Sequence, residues 1–370
     1  MKKTEKTVLI SGASIAGLTM AYWMKHNGYT VTVVELGAAP RMGGSPIDVR
    51  GEALDTAKRM GILDDIKKAK VPTKGLEFMD ADDILQGTML VEEIGAIRPG
   101  DDTEIRRDDL VNILYARAGD GVHYKFNNSI TNLVQSEDHI TVTFNDGATA
   151  QYDFVIGADG IHSRVRKLVF GEEDQFTHFL NFYFSVFPVD GRLGKKNYGQ
   201  MYTTPNNLAV VYYYNEHRAD GFLMFRTTDK ISYDRRDIEA QKKIVIDAFE
   251  GVGWKTPQLI EELKNAGNFY FDQGCQIKMP SWTNGRVALV GDAGYAPAFP
   301  TGMGSTLAMQ GATALADALA GHEDHHAAFR KYNEIFRPVV DALQATVYDG
   351  MAFLLPETQE GIDKRNKGTR

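Results

Sequence analysis

TVLISGASIAGLTMAYWMKHNGYTVTVVE, residues 7–35, decides the fold. Thr7-Val8-Leu9-Ile10 is a short apolar, β-branched run of the kind that forms a buried parallel strand. Gly12-Ala13-Ser14-Ile15-Ala16-Gly17 follows, then a helical stretch from Leu18 to His26 that Asn27-Gly28 closes. A second strand, Tyr29 to Val34, ends in Glu35, eighteen residues after Gly17. These are the parts of a dinucleotide-binding βαβ unit. Gly12 permits the tight turn, Gly17 permits close helix–strand packing, and the helix N-terminus faces a pyrophosphate. Glu35 would accept hydrogen bonds from the adenosine ribose. Ser14 stands where the fingerprint has its middle glycine; its side chain is small enough to let a pyrophosphate approach and its hydroxyl can donate to it. A hydrolase nucleophile elbow needs glycine at position 16, and this chain has Ala16.

The rest of the chain must house what such a unit serves. Its 370 residues predict about two domains, and 43% hydrophobic residues suffice for a sizeable core. A net charge of −8 argues against nucleic acid as a partner, since phosphate neutralisation needs clustered Lys and Arg. One cysteine, Cys275, excludes an internal disulfide and a multi-cysteine metal site. No run reaches the ~18 apolar residues of a membrane helix. Met1-Lys2-Lys3 is followed by Glu5 and Lys6, and Ser11-Gly12 cuts the apolar run, so a secretion signal is not expected. A cytoplasmic monomer is the expectation.

Two further strands end in acids. Phe154-Val155-Ile156 leads into Gly157-Ala158-Asp159-Gly160, with Ser163, Arg164 and Arg166 beyond. Val287-Ala288-Leu289-Val290 leads into Gly291-Asp292-Ala293, then Pro297, Pro300, Gly302, Met303, Gly304 and a small-residue helix from Ser305 to about Leu319. Ligands of open parallel sheets sit beyond the strands' carboxyl ends, where both acids would lie. Either acid alone reads better as a cap or turn residue. Asp292 is placed to bind a ribityl hydroxyl, and the helix start at Gly302–Ser305 offers free N–H groups and a positive dipole end to a flavin.

Together, GASIAG at 12–17, Arg107-Asp108-Asp109-Leu110, GADGIHSRVR at 157–166 and GDAGYAPAFPTGMG at 291–304 resemble the class A flavoprotein monooxygenases. The stretch from Arg41 to Gly51, and Gly294-Tyr295 in place of the family's usual Ala-His, look most like the tetracycline destructases. The resemblance implies an α/β fold: a Rossmann-like FAD-binding domain, an inserted antiparallel-sheet substrate domain and a C-terminal bracing helix. The expected segments are 1–72, 98–172 and 272–321 for FAD, 73–97 and 173–271 for substrate, and 322–370 for the C-terminal helix and a frayed polar tail. It also implies FAD contacts at Gly12, Ser14, Ala16, Gly17, Glu35, Leu36, Arg41, Asp48, Arg107, Asp159, Asp292, Pro300, Gly302, Met303, Gly304 and Ser305. Thr306 departs from the asparagine of most members.

Residues 173–271 hold 19 of the chain's 38 aromatics. Phe182-Tyr183-Phe184, Leu208 to Tyr214 and Phe222 to Arg226 read as antiparallel strands, with a hairpin turn near Asn215–Asp220 and helices near 237–249 and 257–264. A smaller insertion, about 73–97, adds strands around an Asp80–Asp83 turn. Most of these aromatics belong in a core. Tyr202, Tyr212, Met224 and Arg226 lie on strands that could face a flavin, and Phe299 neighbours its loop, so these five are the expected substrate contacts. His322, Glu323, Asp324, His325 and His326 look superficially like a metal cluster, but they follow Gly321 at a helix end and read as a solvated connection; no metal is expected. A long helical pattern, interrupted at Pro338, then runs from Ala327 to about Phe353.

By resemblance, NADPH or NADH binds transiently, delivers a hydride and leaves, and an oxygen atom from O2 passes to an aromatic or polycyclic phenol or enol. Two alternatives keep the fold: a flavin-dependent reductase or dehydrogenase, and a non-catalytic flavoprotein that sequesters an aromatic ligand.

Overall fold

The computed structural model describes residues 6–41, 43, 46–91 and 102–368. Met42, Gly44 and Ser45 of the stretch quoted at 41–51, residues 92–97 of the expected insertion, and Met1 to Glu5 lie outside the described residues.

Thr7–Ser11 is an inner strand of a six-stranded sheet. It pairs in parallel with Thr30–Val34 on one side, Ile10 opposite Val33, and with Phe154–Gly157 on the other, Ile10 opposite Ile156. Val287–Leu289 adds in parallel beyond Phe154–Gly157. The ends bearing Glu35, Asp159 and Asp292 therefore open on one edge of the sheet, as the strand order of a doubly wound fold requires. The turn into the helix Ile15–His26 is as tight as its residues allow. Gly12 has φ +106°, and a Cβ there would stand 2.4 Å from the Ala158 carbonyl oxygen. A Cβ on Gly17 would stand 1.9 Å from the Gly12 carbonyl oxygen, so helix and turn touch through bare backbone.

The second layer is a seven-stranded sheet in the order Tyr270–Ile277, Thr177–Val189, Arg218–Arg226, Asn207–Asn215, Tyr198–Thr203, Gly75–Met79 and Leu85–Leu90. Side chains alternate between its faces. Tyr183, Phe225, Leu223 and Phe271 pack with Val245, Leu259 and Leu263 of the helices Ile238–Ala248 and Thr256–Asn265. Phe78, Phe182, Met201, Phe222 and Met224 occupy the opposite face, with Val347 and Met351 of the helix Val347–Leu354.

Three expectations shift. The boundary expected at 272 falls inside the strand Tyr270–Ile277, which belongs to the large sheet. That strand is buried on both faces, so it carries no alternation to read. The helix His325–Ala345 runs through Pro338. The residue whose carbonyl loses a partner there, Glu334, is exposed and can bond to water. The tail is ordered as a helix, Gln359–Gly368. Arg365 fastens it by donating to the Phe353 carbonyl (2.8 Å) and to Thr203 Oγ1 (3.2 Å), while Ile362 is buried. Among the described residues no helix is long and apolar enough to cross a membrane.

Candidate functional site

A cavity of about 1330 Å³ opens at the sheet edge where the three acid-bearing strands end. It exceeds the ~300–1,000 Å³ of ordinary small-ligand clefts, as a dinucleotide requires. Gly12, Ser14, Ala16, Glu35, Leu36, Arg41, Arg107, Asp159, Asp292, Gly304 and Ser305 line it. Gly17, Asp48, Pro300, Gly302 and Met303 do not.

The buried Arg107, at the start of the helix Arg107–Ala118, organises one end. Its Nη2 donates to Ser14 Oγ (2.7 Å), and its Nη1 donates to the carbonyls of Arg41 (2.7 Å) and Gly43 (3.1 Å). Ser14 thus accepts from Arg107 and keeps its own proton to donate. The substitution of the middle glycine is matched by an arginine 93 residues away. Burial first, and then the Arg41 charge, lower the Arg107 guanidinium to about 10, so it stays cationic at neutral pH. Glu35 accepts from the backbone N–H of Ala13 (2.8 Å) and of Gly37 (2.9 Å), which fixes its carboxylate at the cavity rim.

Asp292 has no hydrogen-bond partner among the described residues. Its surface is open, but onto the cavity within the protein rather than onto bulk water, and burial pushes its carboxyl up against the opposing pull of Arg41 and Arg107. The eighteen-residue helix Gly304–Gly321 starts beside it and presents its positive dipole end. Ser305 Oγ fixes that start by donating to the Asp48 carbonyl (2.7 Å). A Cβ added at Gly302 or Gly304 would meet nothing within 4 Å, so bare backbone faces open space. A large cavity, a glycine-cradled turn, a rim carboxylate and an unpartnered interior acid between two arginines together fit FAD.

Several expected residues serve otherwise. Asp159 reaches the wall, but its oxygens accept from Ser163 Oγ (2.5 Å) and the N–H groups of Arg164 (2.9 Å) and Val165 (3.1 Å), capping the helix Arg164–Val169. The Asp48 carboxylate pairs with Arg50 (2.7 Å). Thr306 is buried, with its hydroxyl turned toward the Asp48 carbonyl. Tyr202 packs on the far face of the large sheet, 6.3 Å from the Trp254 ring. The Tyr212 hydroxyl donates to Glu104 (2.5 Å) at the junction of the two layers. Met224 is buried beneath the helix Val347–Leu354, and Arg226 donates to the Leu355 carbonyl (2.7 Å), so both brace the C-terminal segment. In the His322–His326 segment, read as a solvated connection, Asp324 caps a helix, accepting from His326 N and Ala327 N (each 3.1 Å).

Phe299 is not among the residues that line the cavity, but it joins a run of rings that reaches it. It stands 42% exposed and stacks on Phe222 (4.7 Å) and Phe184 (5.6 Å). Tyr270 continues this wall, 5.7 Å from Phe184 and 5.4 Å from the Arg41 guanidinium. Phe184, Phe222 and Tyr270 were not expected there; they come from three neighbouring strands, and the pairing of Phe184 with Met224 and Asp272 sets Phe222 and Tyr270 each two positions along on the same face. Tyr295 is a pillar behind the flavin loop, in edge contact with Trp282 (4.8 Å) and Phe336 (5.4 Å) and accepting from Tyr332 (3.1 Å). A Cβ on Gly311 would stand 1.8 Å from its hydroxyl oxygen, and that ring cannot swing aside. Gly311→Ala should therefore destabilise the fold by about 1–3 kcal/mol, read as a lower urea midpoint.

A cavity of this kind, on this strand order, defines an FAD-binding α/β protein. The chain matches the FAD binding domain family over residues 5–346 and belongs to it. It is 39% identical over 368 residues to a flavin-dependent monooxygenase of an unknown prokaryotic organism, covering 98% of this chain and 94% of that one. A flavin-dependent monooxygenase of Legionella longbeachae is 38% identical over 343 residues, 91% of this chain and 86% of that one. Among solved structures, the tetracycline destructase Tet(55) superposes with a TM-score of 0.87 at 36% identity, covering 100% of this chain and 96% of that one. The tetracycline destructase Tet(51) gives 0.88 at 34%, covering 99% and 95%. The protein is thus a class A flavoprotein of the monooxygenase kind, close in structure to the tetracycline destructases.

Proposed function

We propose that the protein uses NADPH or NADH and O2 to hydroxylate a phenol or enol of an aromatic or polycyclic compound, with tetracycline-like antibiotics as the leading substrate class. One observation carries the reading: Arg41, which lines the cavity with Asp292, lies over the Tyr270 ring, the first of an unbroken run of ring contacts through Phe184 to Phe299 and Phe222. Flat, partly apolar substrates suit such a wall, and electron-rich ring carbons presented across it suit an oxygenating cofactor.

Bound FAD supplies the redox and oxygen-activating chemistry. The chain supplies position and field. Glu35 would hold the ribose end, and Ser14, oriented by Arg107, would donate toward the pyrophosphate. Asp292 would accept from the ribityl chain. The helix start at Gly304 and the Arg41 charge would stabilise negative charge at the reacting end. The aromatic wall excludes water, which strengthens those interactions. The reaction needs no acid–base dyad on the protein when the substrate is already an enolate.

NADPH oxidation by FAD-loaded protein, measured with and without tetracycline, tests this reading. It predicts stimulated consumption and a product one oxygen atom heavier by mass spectrometry. Stimulated consumption that yields only hydrogen peroxide would remove tetracycline as the substrate, and consumption without oxygen uptake would favour a reductase.

A further inference from the structure

His162 lies in the loop after Asp159, and both of its ring nitrogens face carboxylates. Nδ1 is 3.0 Å from Glu173 Oε1, and Nε2 is 2.9 Å from Asp272 Oδ2. Ionised carboxylates only accept, so two such partners require a proton on each nitrogen and hence an imidazolium. Asp272, itself 4% exposed, also accepts from the Tyr270 hydroxyl (3.0 Å) and from Gln273 N (2.8 Å). Glu173 is held from its other side by Arg235 (2.8 Å) and more loosely by Arg166 (3.5 Å). An unbroken chain of charge-assisted hydrogen bonds therefore runs from Arg235 at the surface to Tyr270 in the aromatic wall. It joins the flavin-side loop to the substrate-side strand Tyr270–Ile277.

We propose that His162 is a positioning residue: as an imidazolium strut through Asp272 it sets the Tyr270 ring between Arg41 and Phe184, and its deprotonation releases that part of the wall. This rests on the flavoenzyme reading above. Neutral imidazole would turn a lone pair toward one of the two carboxylates, converting an attraction into a repulsion. The groups facing His162 are Asp272 and Tyr270 from the strand, Glu173 from the turn before the strand Thr177–Val189, Arg166 from the helix Arg164–Val169 and Arg235 from the loop before Ile238. Burial alone would lower the histidine, but the hydrogen bonds and charges of Asp272 and Glu173 outweigh it and leave it raised. Glu173, which burial would raise, is brought down to about 2 by His162 and Arg235. Because the folded-state histidine is raised, its contribution is fully present below the unfolded value of ~6.5 and is lost as pH rises through the folded value.

The test uses FAD-loaded protein carrying 13C-labelled histidine, with the His162 resonance assigned by its loss in His162→Gln. Its titration midpoint should lie above the unfolded value of ~6.5, and Asp272→Asn or the more exposed Glu173→Gln should each bring it down. The visible circular dichroism of the bound flavin should change at the same midpoint in the wild type. It should be flat with pH in His162→Gln and in Tyr270→Phe. In turnover, His162→Gln should divert about tenfold more reducing equivalents to peroxide while NADPH oxidation stays within about twofold, the sign of misplacement rather than collapse. A His162 midpoint at or below 6.5, or a flavin signal whose pH dependence survives His162→Gln, would overturn the strut. Neither spectroscopic readout needs a substrate, so failure to oxygenate tetracycline and failure of the strut are separate results.

Discussion

Arg107→Met should weaken FAD binding by about 100-fold while the chain stays folded. The guanidinium makes three hydrogen bonds to Ser14 and to the carbonyls of Arg41 and Gly43. Bonds to a charged partner are each worth roughly 1.5–3 kcal/mol, and as a connected set they do not sum. A net loss of about 3 kcal/mol in positioning the two loops corresponds to about 100-fold in affinity. Methionine preserves much of the stem's packing, so the loss isolates the charged fork. Fluorescence titration of the apoprotein with FAD reads the effect. Unchanged affinity would show that the loop order does not depend on Arg107. Ser14→Gly separates the two halves of the device: it restores the usual glycine, removes one acceptor and should cost less than Arg107→Met.

Asp292→Ala should strip flavin from the protein, with the visible absorbance lost on gel filtration and the circular dichroism of the fold retained. Asp292 has no hydrogen-bond partner among the described residues, so its removal breaks no internal hydrogen bond. It relieves the burial of a charged group that Arg41 and Arg107 offset only in part. The control is Asp159→Ala, which this structure reads as loss of a helix cap. That change should lower stability by about 1 kcal/mol and leave FAD affinity nearly unchanged. If Asp159→Ala releases flavin and Asp292→Ala does not, the two acids have been assigned the wrong way round.

The βαβ unit and the acid-bearing strand ends were readable from local pattern because each strand is apolar and short, three closed by a glycine and the fourth by Glu35. What was not readable depended on partners far away in sequence. Ser14 looked like a defect in a fingerprint until Arg107 stood beside it. Asp159 and Asp292 follow similar Gly-containing strand ends, but only packing shows that one carboxylate turns back on its own helix and the other stays free. In the aromatic strands, large residues occupy both faces, so alternation marks faces without saying which one meets the flavin. Tyr202 and Met224 illustrate the two ways this fails. The first lies on the wrong face, and the second lies on the right face beneath a C-terminal helix that closes over it. Phe299 could be singled out from sequence because it adjoins Pro300 and the Gly302–Gly304 turn.

The relay from Arg235 to Tyr270 was invisible in sequence for the same reason: its five members come from four separate segments. It also bears on coupling. A wall fixed by charges spanning both layers would make substrate placement sensitive to how the two layers sit on each other, whereas Gly12, Ser14, Glu35 and Asp292 all follow parallel strands of the six-stranded sheet. Variants in the cradle and in the relay should therefore differ in kind, the first losing flavin and the second keeping it but losing product.

Reaction of FAD-loaded protein with NADPH and tetracycline under 18O2 tests the central claim most directly. The account predicts a product carrying one atom of 18O, absent in Asp292→Ala. A product with oxygen from water, or reduced without added oxygen, would contradict it.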